Sequence, residues 1–242
     1  VQEPFVASMA REQGASQNLI LVGTLLAPSA GKGTAAGGEA AYVHGERGAA
    51  KLTAEAHFTD MLSGIMSVKR EHYAALGMMR AFGGGGASLW CDVDFAYRAH
   101  LQGFTLRRCL DAIGYHHDYA LRDLLTACGR AYRASVAGAR LLHIHPGLRE
   151  HIPMFRDKGP IEWRRDPPRL IVRKLARQAI SSPPAMWAME HAVPLLERLA
   201  PRSLPLRLLE RWIVSGHIFR GYRDGLRALG HAAPRPPGEA SA

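Results

Sequence analysis

The first ordered pattern along the chain is a continuous apolar run, Leu19-Ile20-Leu21-Val22-Gly23-Thr24-Leu25-Leu26-Ala27. It is strand-length, carries β-branched members and stops at Pro28, as a strand buried on both faces does. Residues 1–18 read as a short helix and loop before it. Residues 28–50 are rich in Gly, Ala and Ser and have no period, the pattern of a mobile surface loop. A short helix is predicted over 51–62, a strand over 64–70, and a helix over 70–77 that Gly77 closes. Another helix follows over 92–102, then short strand pieces at 105–109 and 112–117. From about Ala120 a long amphipathic helix begins. Leu121, Leu124, Leu125, Cys128, Tyr132, Val136 and Ala139 recur at helical spacing, with Arg122, Asp123, Arg130 and Arg133 on the other side. Beyond Pro146 the pattern is helical and punctuated by prolines, with helices at 168–180, 185–199 and 204–229. The tail 231–242 has the composition of a disordered segment.

Charge divides the chain in the same place. The net charge is +10 over 242 residues, but residues 1–146 carry an excess of only +2 and residues 147–242 one of +8. Two readings follow: an anionic partner for the C-terminal part, or a solvated Arg-rich helical surface. Cys91, Cys109 and Cys128 are odd in number and show no CxxC spacing, which excludes a disulfide framework and a cysteine zinc site and fits a reducing, cytoplasmic compartment. No apolar run is long enough for a transmembrane span, and no signal peptide is legible. Nucleic acid is not expected, because no zinc-finger, RNA-binding or helix-turn-helix signature occurs. The segment Ala30-Gly31-Lys32-Gly33-Thr34 is not a phosphate loop: Lys32 is followed by Gly33, and Leu26 stands five residues before Gly31 where a glycine is required.

The candidate chemistry lies in residues 82–104, FGGGGASLWCDVDFAYRAHLQGF. Four glycines, Gly83 to Gly86, allow close backbone approach to a ligand. Trp90 follows, and then Asp92 and Asp94 in the first turn of the predicted helix, where the helix dipole favours an ionised carboxylate. Such a carboxylate beside a glycine loop and an indole suits deprotonation of a hydroxyl. The same residues also fit plainer parts: Asp92 as a helix cap, Asp94 as half of an exposed i,i+4 pair with Arg98, Trp90 as core. His116 and His117 end the second strand piece. His143 and His145 read as a solvated turn before Pro146, and Lys69 and Arg70 as a solvated edge.

Three pieces stand in fixed order: Ser63-Gly64-Ile65-Met66-Ser67-Val68-Lys69-Arg70 leading to a helix and Gly77; the glycine run with Trp90-Cys91-Asp92-Val93-Asp94; and Asp111-Ala112-Ile113-Gly114-Tyr115-His116-His117 before a long basic helix. This order resembles the C-terminal half of a family 2 glycosyltransferase, an inverting enzyme of the GT-A fold. Phe95-Ala96-Tyr97-Arg98 and Gly103-Phe104 agree with the later part of its pattern, and the likeness runs from residue 19 to about 145. It implies an α/β chain: a partial GT-A domain over 1–145 that lacks its N-terminal βαβ half, a basic α-helical extension over 146–230, and a disordered tail over 231–242.

The resemblance also implies roles. Asp92 matches the general base that takes the acceptor's proton, and Asp94 the second acid of the motif, structural or acceptor-facing. Gly64 and Ser67 match the strand lining the sugar pocket. Gly84, Gly85, Gly86 and Trp90 match the loop that covers donor and acceptor. His116 matches a residue that helps hold Mg²⁺ or Mn²⁺ on the donor diphosphate. The implied partners are a nucleotide-sugar donor and a glycan or lipid-linked acceptor of cell-envelope polysaccharide synthesis, with peripheral contact at the inner face of a bacterial plasma membrane. Two positions depart from the pattern: Cys91 stands where the family has Glu, and Ile65 where it has Asn. Nothing before residue 19 supplies the family's nucleotide-binding unit and its Asp-x-Asp, so the chain reads as a fragment. The rival reading is a non-catalytic basic helical module on an anionic membrane surface. It is carried by the charge of residues 147–242 and by apolar anchors Trp187, Leu195, Leu196, Leu208, Leu209, Trp212, Ile213 and Phe219.

Overall fold

The computed structural model describes residues 4–14, 17–26, 54–82, 89–115, 123–201 and 203–231. Within them the chain is mixed α/β and mostly helical, around a small mixed sheet. Helix α1 spans Phe5–Gly14 and strand β1 Leu19–Leu26. Strand β2 (Met66–Val68) and helix α2 (Arg70–Ala75) come next. Helix α3 is Cys91–Leu101, strand β3 Thr105–Tyr115 and helix α4 Leu124–Ile144. Two short helices, α5 (Leu148–His151) and α6 (Pro153–Lys158), lead to α7 (Pro168–Ile180), α8 (Pro183–Leu199) and α9 (Leu204–His231).

The continuous apolar run is central because both faces of β1 are covered. The strand order is β2-β1-β3, with β2 antiparallel and β3 parallel to β1. Ile20 and Val22 point to one side, into the main core with Phe58, Phe95 and Ala96. Leu19 and Leu21 point to the other, where Met9 of α1, Cys109 and Ala112 cover them. A strand so placed gains nothing from polar alternation, which is why its sequence shows none.

The two strand pieces expected at 105–109 and 112–117 are one strand as far as Tyr115. Its register against β1 shifts between Gly23 and Thr24, so Cys109 pairs with Gly23 and Ile113 with Thr24. The irregularity falls where the apolar pattern lapses, at Leu110 and Asp111. The helix expected over 51–62 is absent from the described part of that range. Residues 54–56 instead run along the outer edge of β3, through the bridge Glu55–Arg107 and the bond from Arg108 N–H to Ala54 O at 2.7 Å. Only a single 3₁₀ turn, Phe58–Asp60, follows, capped by His57. The expected strand over 64–70 is shorter than predicted. Ser63–Ile65 form another 3₁₀ turn before β2 begins.

Helix boundaries agree more closely. Gly77 sits at φ 75° just past α2, and Gly103 at φ 77° just past α3, both left-handed positions that suit glycine. Helix α4 starts at Leu124 because Asp123 caps it, accepting from Thr126 N–H at 2.7 Å. Leu125, expected on the apolar face, is 83% exposed.

The core does not stop at residue 145. Leu148, Ile152, Phe155 and Tyr222 belong to the same cluster as Phe95, Ala137 and Leu141. Helix α9 lies against α4 at very close range. A Cβ on Gly221 would come 2.4 Å from Tyr132 O, and one on Gly225 would come 2.8 Å from Ala139 Cβ. A second helical cluster, Cys128, Met186, Val193, Leu206 and Ile213, ties α8 to the same pair. The segment between residues 146 and 230 is thus packed onto the first part of the chain. The tail beyond 231, the loop at 28–50, Gly84 to Gly86, His116 and His117 lie outside the described residues.

Candidate functional site

Helix α3 opens at Trp90, whose backbone is left-handed at φ 66°. That conformation is uncommon for a bulky residue and is held only when surrounding contacts over-determine it. Here they do. The indole Nε1 donates to Ala134 O of α4 at 2.7 Å, and the ring lies 5.8 Å from that of Phe155. Trp90 is half-buried and its polar edge is spent on α4, so the described contacts make it a clamp between two helices.

Asp92 and Asp94, two residues apart on α3, face different surroundings. Asp94 is fully buried. One carboxylate oxygen takes two bonds from Arg98, Nε at 3.0 Å and Nη2 at 2.8 Å. The other meets His145 Nε2 at 2.7 Å. Arg98 in turn donates to the carbonyls of Leu76 and Met78 (the latter at 2.5 Å), the two residues flanking the turn at Gly77. The i,i+4 pair foreseen as exposed is therefore the centre of a buried network joining α2, α3 and the C-terminal end of α4. His145 is not part of a solvated turn; only His143, its neighbour two residues earlier, is exposed. Both oxygens of Asp94 are thus engaged within the protein, and its side chain does not reach solvent.

Asp92 is half-buried on the other side of the same turn. Its carboxylate accepts from the backbone N–H of Val93 at 2.9 Å and lies near the backbone of Ser63. Burial is the larger influence and pushes its carboxyl above the ordinary value; the backbone hydrogen bonds pull the other way. The turn before β2 thus lies near the start of α3. Gly64, next in line, is exposed with open space around the position of a Cβ. Ser67 is half-buried in β2, opposite Leu21. Asp92, Gly64 and Ser67 thus lie on neighbouring elements, while Asp94 and Trp90 turn inward.

Cys91 is buried, and burial first, then the charge of Asp92, push its thiol up. It stays protonated at neutral pH and is a poor nucleophile. Among the described residues no group of three or more His, Cys, Asp or Glu could hold a metal ion. The charged network through Arg98 and His145 escaped the sequence reading because its partners are 51 residues apart. The burial of Asp94 had one legible sign: α3 is apolar on nearly every side, at Val93, Phe95, Ala96, Tyr97 and Ala99, so a charge within it needs a partner.

No protein-family model, curated protein or solved structure matches the chain.

Proposed function

We propose that the chain is the acceptor-side portion of an inverting glycosyltransferase of family 2 and GT-A type, with Asp92 as the general base. What carries the reading is the closeness of the Asp92 carboxylate to the backbone of Ser63. It brings together the two segments that the resemblance requires to meet, the strand entry at 63–67 and the acidic turn at 91–94. The burial that raises the Asp92 carboxyl also makes its carboxylate a stronger base. In the transfer, an acceptor hydroxyl gives its proton to Asp92 as its oxygen attacks C1 of the donor sugar. The C1–O bond to the nucleoside diphosphate breaks and configuration inverts. A divalent ion on the donor diphosphate would stabilise the leaving group; the described residues supply no ligand set for it. Asp94, Arg98 and His145 fix the turn that carries the base, and Trp90 pins the start of α3 to α4.

The test is transfer by the intact enzyme, with product configuration read by NMR. Parental enzyme inverts the anomeric centre; Asp92→Asn loses on the order of 10²-fold or more in kcat while remaining folded. Parental turnover by that variant would defeat the assignment. Reading the coding sequence directly upstream of Val1 is a second check, with a βαβ unit ending in Asp-x-Asp as the expected result.

A second reading has its own observation. Trp187, Leu195 and Leu199 of α8 and Leu204, Leu208 and Trp212 of α9 are exposed at spacings of four or eight residues. Such stripes beside arginines are what a helix pair lying on an anionic membrane presents. Ile213 and Phe219, two of the expected anchors, are buried instead and serve the core. No described helix is long and apolar enough to cross a membrane, so contact of this kind would be peripheral.

A further inference from the structure

Far along the chain from Asp92, a cavity of about 630 Å³ opens between the start of α4, the end of α6, α7 and α9. That volume falls within the ~300–1,000 Å³ typical of small-molecule sites. Four cations line it, Lys158, Arg177, Arg207 and Arg211, against two carboxylates, Asp123 and Glu210. The carboxylates do not neutralise the cations. Asp123 is turned to the α4 terminus, where Thr126 N–H and Oγ1 hold it at 2.7 Å each. Arg177 is anchored by Asp157, donating to its carbonyl at 2.9 Å with the carboxylate at 3.7 Å. Lys158 reaches only Ser215 Oγ, at 3.5 Å. Among the described residues no carboxylate lies within ion-pair distance of Lys158, Arg207 or Arg211.

Burial, and then the nearby Arg177 guanidinium, bring the Lys158 ammonium down to about 8, against the opposing pull of the Asp157 carboxylate. Among the described residues only Arg177 of these four cations has a carboxylate within ion-pair distance, and like charges gathered in one concave place cost stability unless an anion joins them. Arginine forks suit carboxylate and phosphate alike, but several gathered cations are answered more fully by the multiple charge of a phosphate or diphosphate than by one carboxylate or by an apolar ligand.

We infer that this cavity binds a phosphate or diphosphate group through Lys158, Arg207 and Arg211, with Arg177 as the fixed wall behind them. The inference does not depend on the glycosyltransferase reading. The group comes either from a soluble phosphate ester or from the head of a lipid. Leu208 and Trp212, exposed apolar residues of the same helix one position on from Arg207 and Arg211, are what a lipid source would engage.

Calorimetric titration of the full chain with inorganic pyrophosphate, at constant ionic strength, is the test. Saturable binding is expected, weakened roughly tenfold or more in Lys158→Gln, as loss of a charge-assisted contact does. Arg207→Gln/Arg211→Gln should behave alike; both side chains are exposed, so this variant keeps its fold even if Lys158→Gln does not. Absence of saturable binding at millimolar pyrophosphate overturns the inference, and so does unchanged affinity in the folded arginine variant. Vesicles of phosphatidylcholine with and without phosphatidic acid identify the source. Capture by the acidic vesicles that pyrophosphate displaces and Trp212→Ala weakens assigns the site to a lipid head. Pyrophosphate binding with no vesicle capture assigns it to a soluble ester.

Discussion

The first turn of α3 and the crossing of α4 with α9 are held together by opposite means. Around α3 the interior contains charge: Asp94 without exposure, Arg98 nearly so, and His145 bridging to α4. At the α4–α9 crossing the closest approaches are to backbone and a methyl, with Gly221 and Gly225 against Tyr132, Val136 and Ala139, and one hydrogen bond, Tyr132 O–H to Asp224 at 3.1 Å, beside them. Packing glycine on backbone is a cheap way to bring helices close, whereas burying an ion pair is not: its desolvation cost rivals its attraction. A fold needing only stability would use the second device throughout. The charged device fixes geometry, and it stands beside the one half-buried, proton-hungry carboxylate of the same turn.

Removing the charge of Asp94 should break the comparison most severely. Asp94→Asn leaves Arg98 buried with no counter-ion and takes the anionic partner from His145. Breaking a buried pair in this way costs about 3–5 kcal/mol. Urea unfolding should show that loss with an unchanged m-value. A loss under about 1 kcal/mol would mean that the network is wetter than its burial implies.

Asp92→Asn should do the reverse, costing about 2.7 kcal/mol in transition-state stabilisation for a 10²-fold drop in kcat while leaving the fold intact or firmer. The sign follows from its carboxyl being raised in the folded state. Such a group contributes stability below its unfolded pKa and loses it as pH rises through the folded one, so at neutral pH ionised Asp92 is a net cost. An amide of the same shape removes that cost. The melting temperature of Asp92→Asn should equal or exceed the parental value at pH 7, and the advantage should vanish in acid. A variant that is both inactive and markedly less stable would make Asp92 a structural residue like its neighbour.

How far these two regions could be read in advance differs for a physical reason. β1 was legible because a strand covered on both faces is apolar throughout, and α3 because its acids mark the first turn and Gly103 its end. The i,i+4 relation of Asp94 and Arg98 was legible as well, but not its burial, since that depends on His145 and on the carbonyls at 76 and 78, set by tertiary packing. The α4–α9 contact left a trace, two glycines four apart in a helix where glycine lowers stability unless something packs on it. It was masked by the charge step near residue 146, which reads as a domain boundary although the core runs across it. Surface charge reports solvent and partners, and says little about where the core ends.

Gly221→Ala tests the glycine crossing. The added methyl would lie 2.4 Å from Tyr132 O, a backbone atom that cannot swing aside. Overpacking of this kind costs about 1–3 kcal/mol, even though alanine is the better helix former. Gly230→Ala, with nothing within 4 Å of the new methyl, is the control and should be neutral or slightly stabilising. If both substitutions stabilise alike, α9 does not press on α4, and the segment after residue 146 is a separable extension after all.

The smallest effect is expected at Asp123, where the two regions share a helix. α4 carries Trp90's acceptor and His145 toward α3, and Tyr132, Val136 and Ala139 toward α9, so fraying its N-terminus should loosen the second region before the first. Asp123 is exposed, and its carboxyl is held below the ordinary value by bonds from the Thr126 backbone and side chain. A depressed carboxyl contributes stability above its unfolded pKa and loses it as pH falls through the folded one. Asp123→Ala should therefore lower the melting temperature slightly at pH 7, with the difference closing below the usual carboxylate range. Asp123→Asn, which retains a capping oxygen, should recover most of it. Hydrogen exchange locates the effect: faster exchange confined to the first turns of α4 is expected, with the amides around His145 unchanged. Equal loosening at both ends would show that α4 responds as one rigid body, and that the two regions are mechanically coupled through it.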